Sequence, residues 1–136
     1  MATRFQVRES IIGLLYAKDL GNEGIDKFVD EILEEKKIRN KQLEFAKSLY
    51  AGIGEHLEEI DSTINNYLKE WNLEQIGNIE RAILRLATYE MLFSDIDDAV
   101  AINEAIELAK KLCSDTSPKF INGVLDAIMK NKGDKK

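Results

Sequence analysis

The side chains that most often carry out catalysis are few in this sequence, and none has an evident partner. His56 is the single histidine, and the i+4 position on its predicted helix offers no second metal ligand. Cys113 is the single cysteine, and no histidine lies near it in sequence to activate a thiolate. We therefore predict a surface histidine and a buried or half-buried structural cysteine, with no catalytic residue and no metal site.

Two further patterns have the residue types of a site but lack the rest of its signature. Residues 52–54 (Gly-Ile-Gly) lack the preceding strand and the third glycine of a phosphate-binding loop. Asn103, Glu104 and Glu107 could form a carboxylate site, but their spacing is also typical of the solvated face of a helix, which we favour. We treat Asn103 and Asn122 as structural residues, and we expect no cofactor.

A small set of cations and one aromatic residue has the chemistry of RNA binding. Arg4 and Arg8 are four residues apart on the first predicted helix and therefore share one of its faces. Lys119 follows Ser117-Pro118, a strong helix start whose free N–H groups attract phosphate. The adjacent Phe120 could stack on a base or pack in the core. The arginines could contact RNA or simply be surface charges, so both alternatives stay open.

The composition limits how such a binding surface could work. The chain has 136 residues, of which 44% are hydrophobic and 32% charged, as expected for one soluble globular domain. Its formal net charge of −6 argues against coating nucleic acid by bulk electrostatics. RNA binding would therefore require a local basic patch on an acidic body.

The location of the protein is also indicated by composition. No apolar run approaches the ~20 residues that a membrane span needs, and the start of the chain lacks the apolar segment of a secretory signal. A single cysteine cannot form an internal disulfide and fits a reducing compartment. We expect a cytoplasmic protein that does not associate with membranes.

Hydrophobic periodicity predicts an all-α chain of about seven helices. The first runs from an N-cap at Thr3 to residue 18 or 19, the second covers about 25–36 with Phe28 inward, and the third covers about 40–59. A fourth is capped by residues 61–63 and contains Trp71, and three helices with apolar stripes follow between residues 79 and 128. We expect two sub-bundles, residues 1–60 and 61–131, in one compact domain with a polar tail at 132–136.

Three segments of the C-terminal half resemble the NusB family of bacterial transcription antitermination factors. They read RAILRLATYE at 81–90, VAINEAIELAK at 100–110 and SPKFINGVLD at 117–126. The second and third together are highly specific. Arg8-Glu9 and Leu15-Tyr16 extend the similarity to the first helix, so that it covers nearly the whole chain.

The resemblance implies a fold of two helical bundles and an adaptor function without catalysis. Its implied partners are boxA-type single-stranded RNA and NusE, a ribosomal small-subunit protein, and through them other antitermination components and RNA polymerase. The RNA contacts would fall on Arg4, Arg8, Lys119 and Phe120. The basic strip is thinner here than is usual in the family, because Phe5, Gln6 and Val7 occupy positions that are often basic.

The resemblance also implies an acidic surface for NusE. Glu80 matches the acidic position and Glu74 is a weaker match, whereas Tyr16 could be either core or partner-facing. From the residues alone, Glu80, Arg81 and Arg85 could pair with one another or with a partner protein.

An alternative is a non-catalytic accessory or protein-binding module with weak or no RNA binding, such as the NusB-like domain of certain RNA cytosine methyltransferases. Because no methyl-donor-binding domain follows before Lys136, we expect free-standing function.

Overall fold

The computed structural model describes residues 2–132, apart from the side chain of Glu23. This part of the chain contains seven α-helices and two short 3-10 segments and has no β-strand, as predicted. The helices are α1 (Arg4–Asp19), α2 (Val29–Glu35), α3 (Lys41–Glu55), α4 (Leu57–Asn65), α5 (Asn78–Phe93), α6 (Asp98–Leu112) and α7 (Ser117–Asn131). Of the predicted polar tail at 132–136, residues 133–136 lie outside the described residues.

Helix α5 lies at the centre of the fold. It packs against α1, α3, α4, α6 and α7, and the most extensive helix pairs are α6 with α7 and α5 with α6. Its fully buried residues include Ala82, Ile83, Leu84 and Met91. An apolar surface this wide buries a helix on several sides rather than along one stripe. The three helices predicted between residues 79 and 128 correspond to α5, α6 and α7.

The start of α1 is determined by residues within one turn. The hydroxyl of Thr3 accepts a hydrogen bond from the Gln6 N–H at 3.1 Å, and the Gln6 side chain accepts one from the Thr3 N–H at 2.9 Å. This reciprocal capping box satisfies two N–H groups that have no partner inside the helix. The predicted N-cap at Thr3 is therefore confirmed, and the helix ends at Asp19 as expected.

The division between α3 and α4 differs from the prediction. Helix α3 ends at Glu55 and α4 begins at Leu57, so residues 61–63, predicted as an N-cap, lie inside α4. The chain turns at His56, which leaves helical geometry with φ −110° and stacks its ring on Phe93 at 4.1 Å. Local periodicity misses this break because the ring that holds it comes from α5. The proposed sub-bundle boundary at residue 60 falls within α4.

The second predicted helix is also shorter than expected. Residues Glu23–Phe28 form a 3-10 segment, and only Val29–Glu35 form an α-helix. Because a 3-10 turn advances three residues instead of 3.6, it rotates Phe28 away from the core. Phe28 is 50% exposed, and Trp71, predicted inside the fourth helix, is 56% exposed in the loop after α4. Both predicted placements are wrong.

The connection from α2 to α3 is held by a Schellman motif. The Lys37 N–H donates to the Glu34 carbonyl at 2.9 Å, and the Ile38 N–H donates to the Leu33 carbonyl at 3.0 Å. Lys37 has a left-handed backbone with φ +60°, a position at which glycine is most common. Ile38 is 1% exposed and packs its side chain into the core.

We expect the Lys37→Gly variant to be more stable than the wild type by about 1 kcal/mol, because glycine removes the steric cost of a left-handed residue. Urea unfolding would measure this change. Lys36→Gly is the matched control, since Lys36 has φ −87° and needs no glycine, and we expect no gain there. A less stable Lys37→Gly variant would contradict the assigned backbone conformation.

Candidate nucleic-acid interface

Arg8, one of the two arginines predicted to contact RNA, is buried. Its side chain donates from Nε to Glu90 Oε1 at 2.7 Å and from Nη2 to Glu90 Oε2 at 2.8 Å, and Nη1 lies 3.8 Å from Glu104 Oε1. Burial disfavours the charged guanidinium, but the hydrogen bonds and charge of Glu90, with the charge of Glu104, outweigh it and raise the pKa of Arg8. Only 2% of Arg8 is exposed, so its guanidinium donates to a carboxylate inside the protein and not to a ligand on the surface.

Arg4 remains on the surface although it shares the helical face of Arg8. Its guanidinium carbon lies 4.1 Å from the centre of the Phe45 ring, and that of Arg8 lies 5.3 Å from the same ring. Such cation–π contacts hold a guanidinium in place and leave its N–H groups available. As predicted, Arg4 and Arg8 share one face of α1. That face is exposed at Arg4 and buried at Arg8, because α1 enters the helical core between them.

The start of α7 presents Lys119 and Phe120 as predicted, with a different cap. Ser117 is the first residue of the helix, and its hydroxyl donates to Glu80 Oε2 at 2.7 Å instead of capping α7. Lys119 is exposed, whereas Phe120 is half-buried and packs against the hydrophobic core. Phe120 therefore has one side in the core and some surface left for a base, so both of its predicted roles stay open.

Glu80 joins the starts of α5 and α7 and is not a free surface carboxylate. It is half-buried and lies beside the thiol of Cys113 as well as the hydroxyl of Ser117. Burial, together with the charge of Glu80, raises the pKa of the Cys113 thiol to about 11. A thiol with that pKa is protonated at neutral pH and is a poor nucleophile, which agrees with a half-buried structural cysteine.

The other two predicted partner residues belong to other elements of the fold. Glu74 is exposed in the 3-10 segment Leu73–Gln75, where the Asn72 side chain accepts a hydrogen bond from its N–H at 3.0 Å. Tyr16 is half-buried on the last turns of α1. The structure thus brings Glu80 to the α7 start and leaves Glu74 available on the surface.

The remaining site candidates lie in different environments. His56 is half-buried rather than on the surface. Glu104 turns toward Arg8, whereas Glu107 is on the solvated face and pairs with Lys110 at 3.2 Å. Asn103 and Asn122, predicted to be structural, are both exposed. Within residues 2–132 no group of three or more histidine, cysteine or carboxylate side chains is placed to hold a metal ion. No helix in the same range is long and apolar enough to cross a bilayer.

Known proteins are similar to this chain over nearly its whole length. The model of the NusB family matches residues 6–130. The chain belongs to the NusB family. A relative from Nitratiruptor sp., named transcription antitermination protein NusB, is 64% identical over 130 residues, covering 96% of this chain and 94% of its own length.

Solved structures agree with the NusB assignment. T. maritima NusB superposes with a TM-score of 0.83 at 38% identity, covering 96% of this chain and 92% of that one. A crystal structure of NusB and NusE in complex with double-stranded RNA superposes with a TM-score of 0.82 at 35% identity, covering 95% of this chain and 98% of that one. The expected NusB-like all-α fold is confirmed.

Two features of this NusB fold were not found by sequence reasoning. Phe45 supports Arg4 from a different helix, and no local pattern connects residues so far apart. Arg85 binds Asp61 through Nε at 2.8 Å and Asp19 through Nη1 at 3.0 Å. Arg85 therefore joins α1 and α4 to α5, and it does not pair with Glu80. From the sequence, the spacing of Arg85 among the apolar residues of α5 indicated only that it lies on the polar face of that helix.

Proposed function

We propose that this chain is a transcription antitermination factor that binds boxA-type RNA together with NusE. The observation that carries the proposal is the 64% identity, over nearly the full chain, to a protein named transcription antitermination protein NusB. The superposed complex of NusB, NusE and double-stranded RNA supports the same pair of partners. The protein acts in the cytoplasm as an adaptor and not as an enzyme, and contacts with other antitermination components and RNA polymerase are indirect.

The proposed RNA surface consists of Arg4, Lys119 and Phe120. Arg4 and Lys119 are exposed cations. In the first turn of α7 the Ser117 N–H donates to the Ser114 carbonyl at 3.1 Å and Pro118 has no N–H, so Lys119 acts mainly through its own charge. Phe120 offers the part of its ring that does not pack in the core. Arg8 has a positioning role in this proposal: its buried pair with Glu90 fixes α1 on α5 and thereby places Arg4.

The proposed NusE surface combines Glu74, Glu80 and Tyr16. Glu74 supplies an exposed negative charge for a basic partner. Charges at the rim of an interface act mainly on association rate and salt dependence. Glu80 contributes in a second way, because its hydrogen bond from Ser117 holds the α7 start in position. Partner binding and RNA binding would then meet at one joint of the fold.

The RNA affinity of the Arg4→Ala/Lys119→Ala variant, measured over a salt series in the presence of NusE, tests this assignment. A phosphate contact on a single strand contributes about 0.7 to the slope of log affinity against log salt. We expect the double variant to flatten the slope by about 1.4. The matched control is Lys27→Ala/Lys69→Ala, which removes two exposed cations distant in sequence from both sites.

Phe120 is tested in the same experiment as Phe120→Leu, which keeps an apolar side chain in the core and removes the stacking ring. We expect weaker binding with an unchanged salt slope. Single- and double-stranded boxA RNA should be compared, because the superposed complex contains a duplex. Absence of RNA binding by the wild type, with NusE and without it, would indicate a protein-binding module and overturn the proposal.

A further inference from the structure

Residues 36–41 are the most basic segment of the described chain, and we call them the basic loop; they comprise the connection between α2 and α3 and the first residue of α3. Residues 36–41 read Lys-Lys-Ile-Arg-Asn-Lys, and all of them except Ile38 are exposed. Four cations in six residues stand out on a protein with a formal net charge of −6. The RNA surface proposed above makes no use of this loop.

The conformation of the loop turns its charges outward. Ile38 is fully buried and anchors the segment. Lys37 and Asn40 on either side have left-handed backbones, with φ of +60° and +57°. These backbone turns send the chain around its buried anchor and leave the cations on the solvent side. A lysine thus occupies the Schellman position that favours glycine, as expected if its charge is used.

The loop lysines are also not engaged with carboxylates. Arg39 pairs with Glu34 at 2.9 Å, but both side chains are more than half exposed, and such surface pairs are weak. Lys36, Lys37 and Lys41 form no ion pair with any side chain that the structure describes. Most lysines elsewhere do face a carboxylate, namely Lys18, Lys47, Lys110, Lys111, Lys130 and Lys132.

The loop lies beside the start of α1, where Arg4 is located. The Gln42 side chain, directly after Lys41, donates a hydrogen bond to the Ala2 carbonyl at 3.3 Å. Phe45, whose ring lies under Arg4, follows Lys41 by one helical turn and so shares its face of α3. Lys41 and Arg4 therefore belong to one continuous surface.

A groove lies between this basic loop and α1. It has a volume of about 790 Å³, and its lining includes Gln6 of α1, Lys36 and Lys37 of the loop, and Ile79 and Leu112. The chain neighbours of the last two, Glu80 and Cys113, meet Ser117 at the first turn of α7. Glu9, which pairs with Lys111 at 2.9 Å, also lines the groove, whereas no described residue of α7 does.

We propose that residues 36–41 form a second phosphate-binding surface, so that the RNA backbone extends from Arg4 onto Lys41, Lys37 and Lys36. This inference rests on the proposed RNA-binding function and extends it. RNA is favoured over an acidic protein because the loop is continuous with Arg4, and a phosphate backbone supplies charges at a regular spacing along a groove. The loop supplies the local positive charge that an acidic body needs in order to hold RNA.

The test compares Lys36→Gln/Lys41→Gln with Lys27→Gln/Lys69→Gln, two double variants that remove the same charge from exposed positions. Affinity for a single-stranded boxA-type RNA oligonucleotide is measured with NusE over a salt series. We expect the loop variant to flatten the salt slope by about 1.4 and the control to leave it unchanged. Lys37→Gly should flatten it by about 0.7, although the variant is expected to be more stable than the wild type.

The possible outcomes separate this inference from the proposed function. Equal slope changes in the two double variants would mean that only the overall charge matters, which overturns the inference. An unchanged slope in the loop variant, with a flatter slope in Arg4→Ala/Lys119→Ala, would overturn the inference and support the proposed function. If the wild type binds no RNA, both fail. Circular dichroism melts are expected to coincide for both double variants, because all four lysines are exposed.

Discussion

Replacing Arg8 with methionine is expected to lower the free energy of unfolding by about 3–5 kcal/mol, because the buried Glu90 carboxylate then loses its guanidinium partner. Both side chains of this pair are only 3% exposed, so water cannot replace the lost interaction. Since a domain of this size is stable by about 5–15 kcal/mol, the loss is a large part of the total. Urea unfolding followed by circular dichroism would measure it.

Two further variants identify the source of the Arg8 effect. Arg8→Met/Glu90→Leu removes both charges, and we expect it to recover most of the lost stability, as apolar replacements of buried ion pairs often do. Arg4→Met, on the exposed cation of the same helical face, should change stability by less than about 0.5 kcal/mol. An Arg8→Met variant as stable as the wild type would show that the pair is not a buried structural element.

The Arg8 variants also test its role in RNA binding. If the folded Arg8→Met/Glu90→Leu protein binds boxA-type RNA with the wild-type salt slope, Arg8 acts by position only. A slope flatter by about 0.7 would instead identify a phosphate contact and would argue against the positioning role.

Gly52→Ala is expected to destabilise the protein by about 1–3 kcal/mol, the usual range for overpacking. A Cβ at residue 52 would overlap the hydroxyl and ring of Tyr89, where α3 crosses α5. Gly54 is the matched control, since a Cβ there has no neighbour within 4 Å. Gly54→Ala should stabilise α3 by up to about 1 kcal/mol, because alanine has the higher helix propensity.

Thermal or urea unfolding of the two alanine variants should therefore give changes of opposite sign. In a Tyr89→Ala background, the Gly52→Ala substitution should be nearly neutral, because the overlapping ring is gone. If Gly52→Ala and Gly54→Ala have the same effect, the close approach of α3 and α5 at Tyr89 is contradicted. We therefore explain Gly52 by a tight contact between α3 and α5, and not by a kink in α3.

Features that depend on neighbours within about one helical turn could be predicted from the residues alone. The Thr3–Gln6 capping box and the apolar stripes of α5 to α7 are of this kind. Their hydrogen bonds and periodicity are complete within a short segment, so the residues suffice to predict them. The segments at 100–110 and 117–126 likewise carry the resemblance to the NusB family, which the family match over residues 6–130 confirms.

Which polar residues reach the surface depends on contacts between segments that are distant in sequence. Glu90 lies 82 residues from Arg8 in sequence but opposite it in the fold, and Arg8 is buried where the two side chains pair. Helix α3 ends at His56, whose ring stacks on Phe93 of α5. Glu80 accepts a hydrogen bond from Ser117, which is 37 residues away in sequence. Helical spacing specifies which side chains share a face, but exposure depends on the helix that packs against that face. For the same reason the basic loop at 36–41 became a candidate RNA contact only when its position beside Arg4 was known.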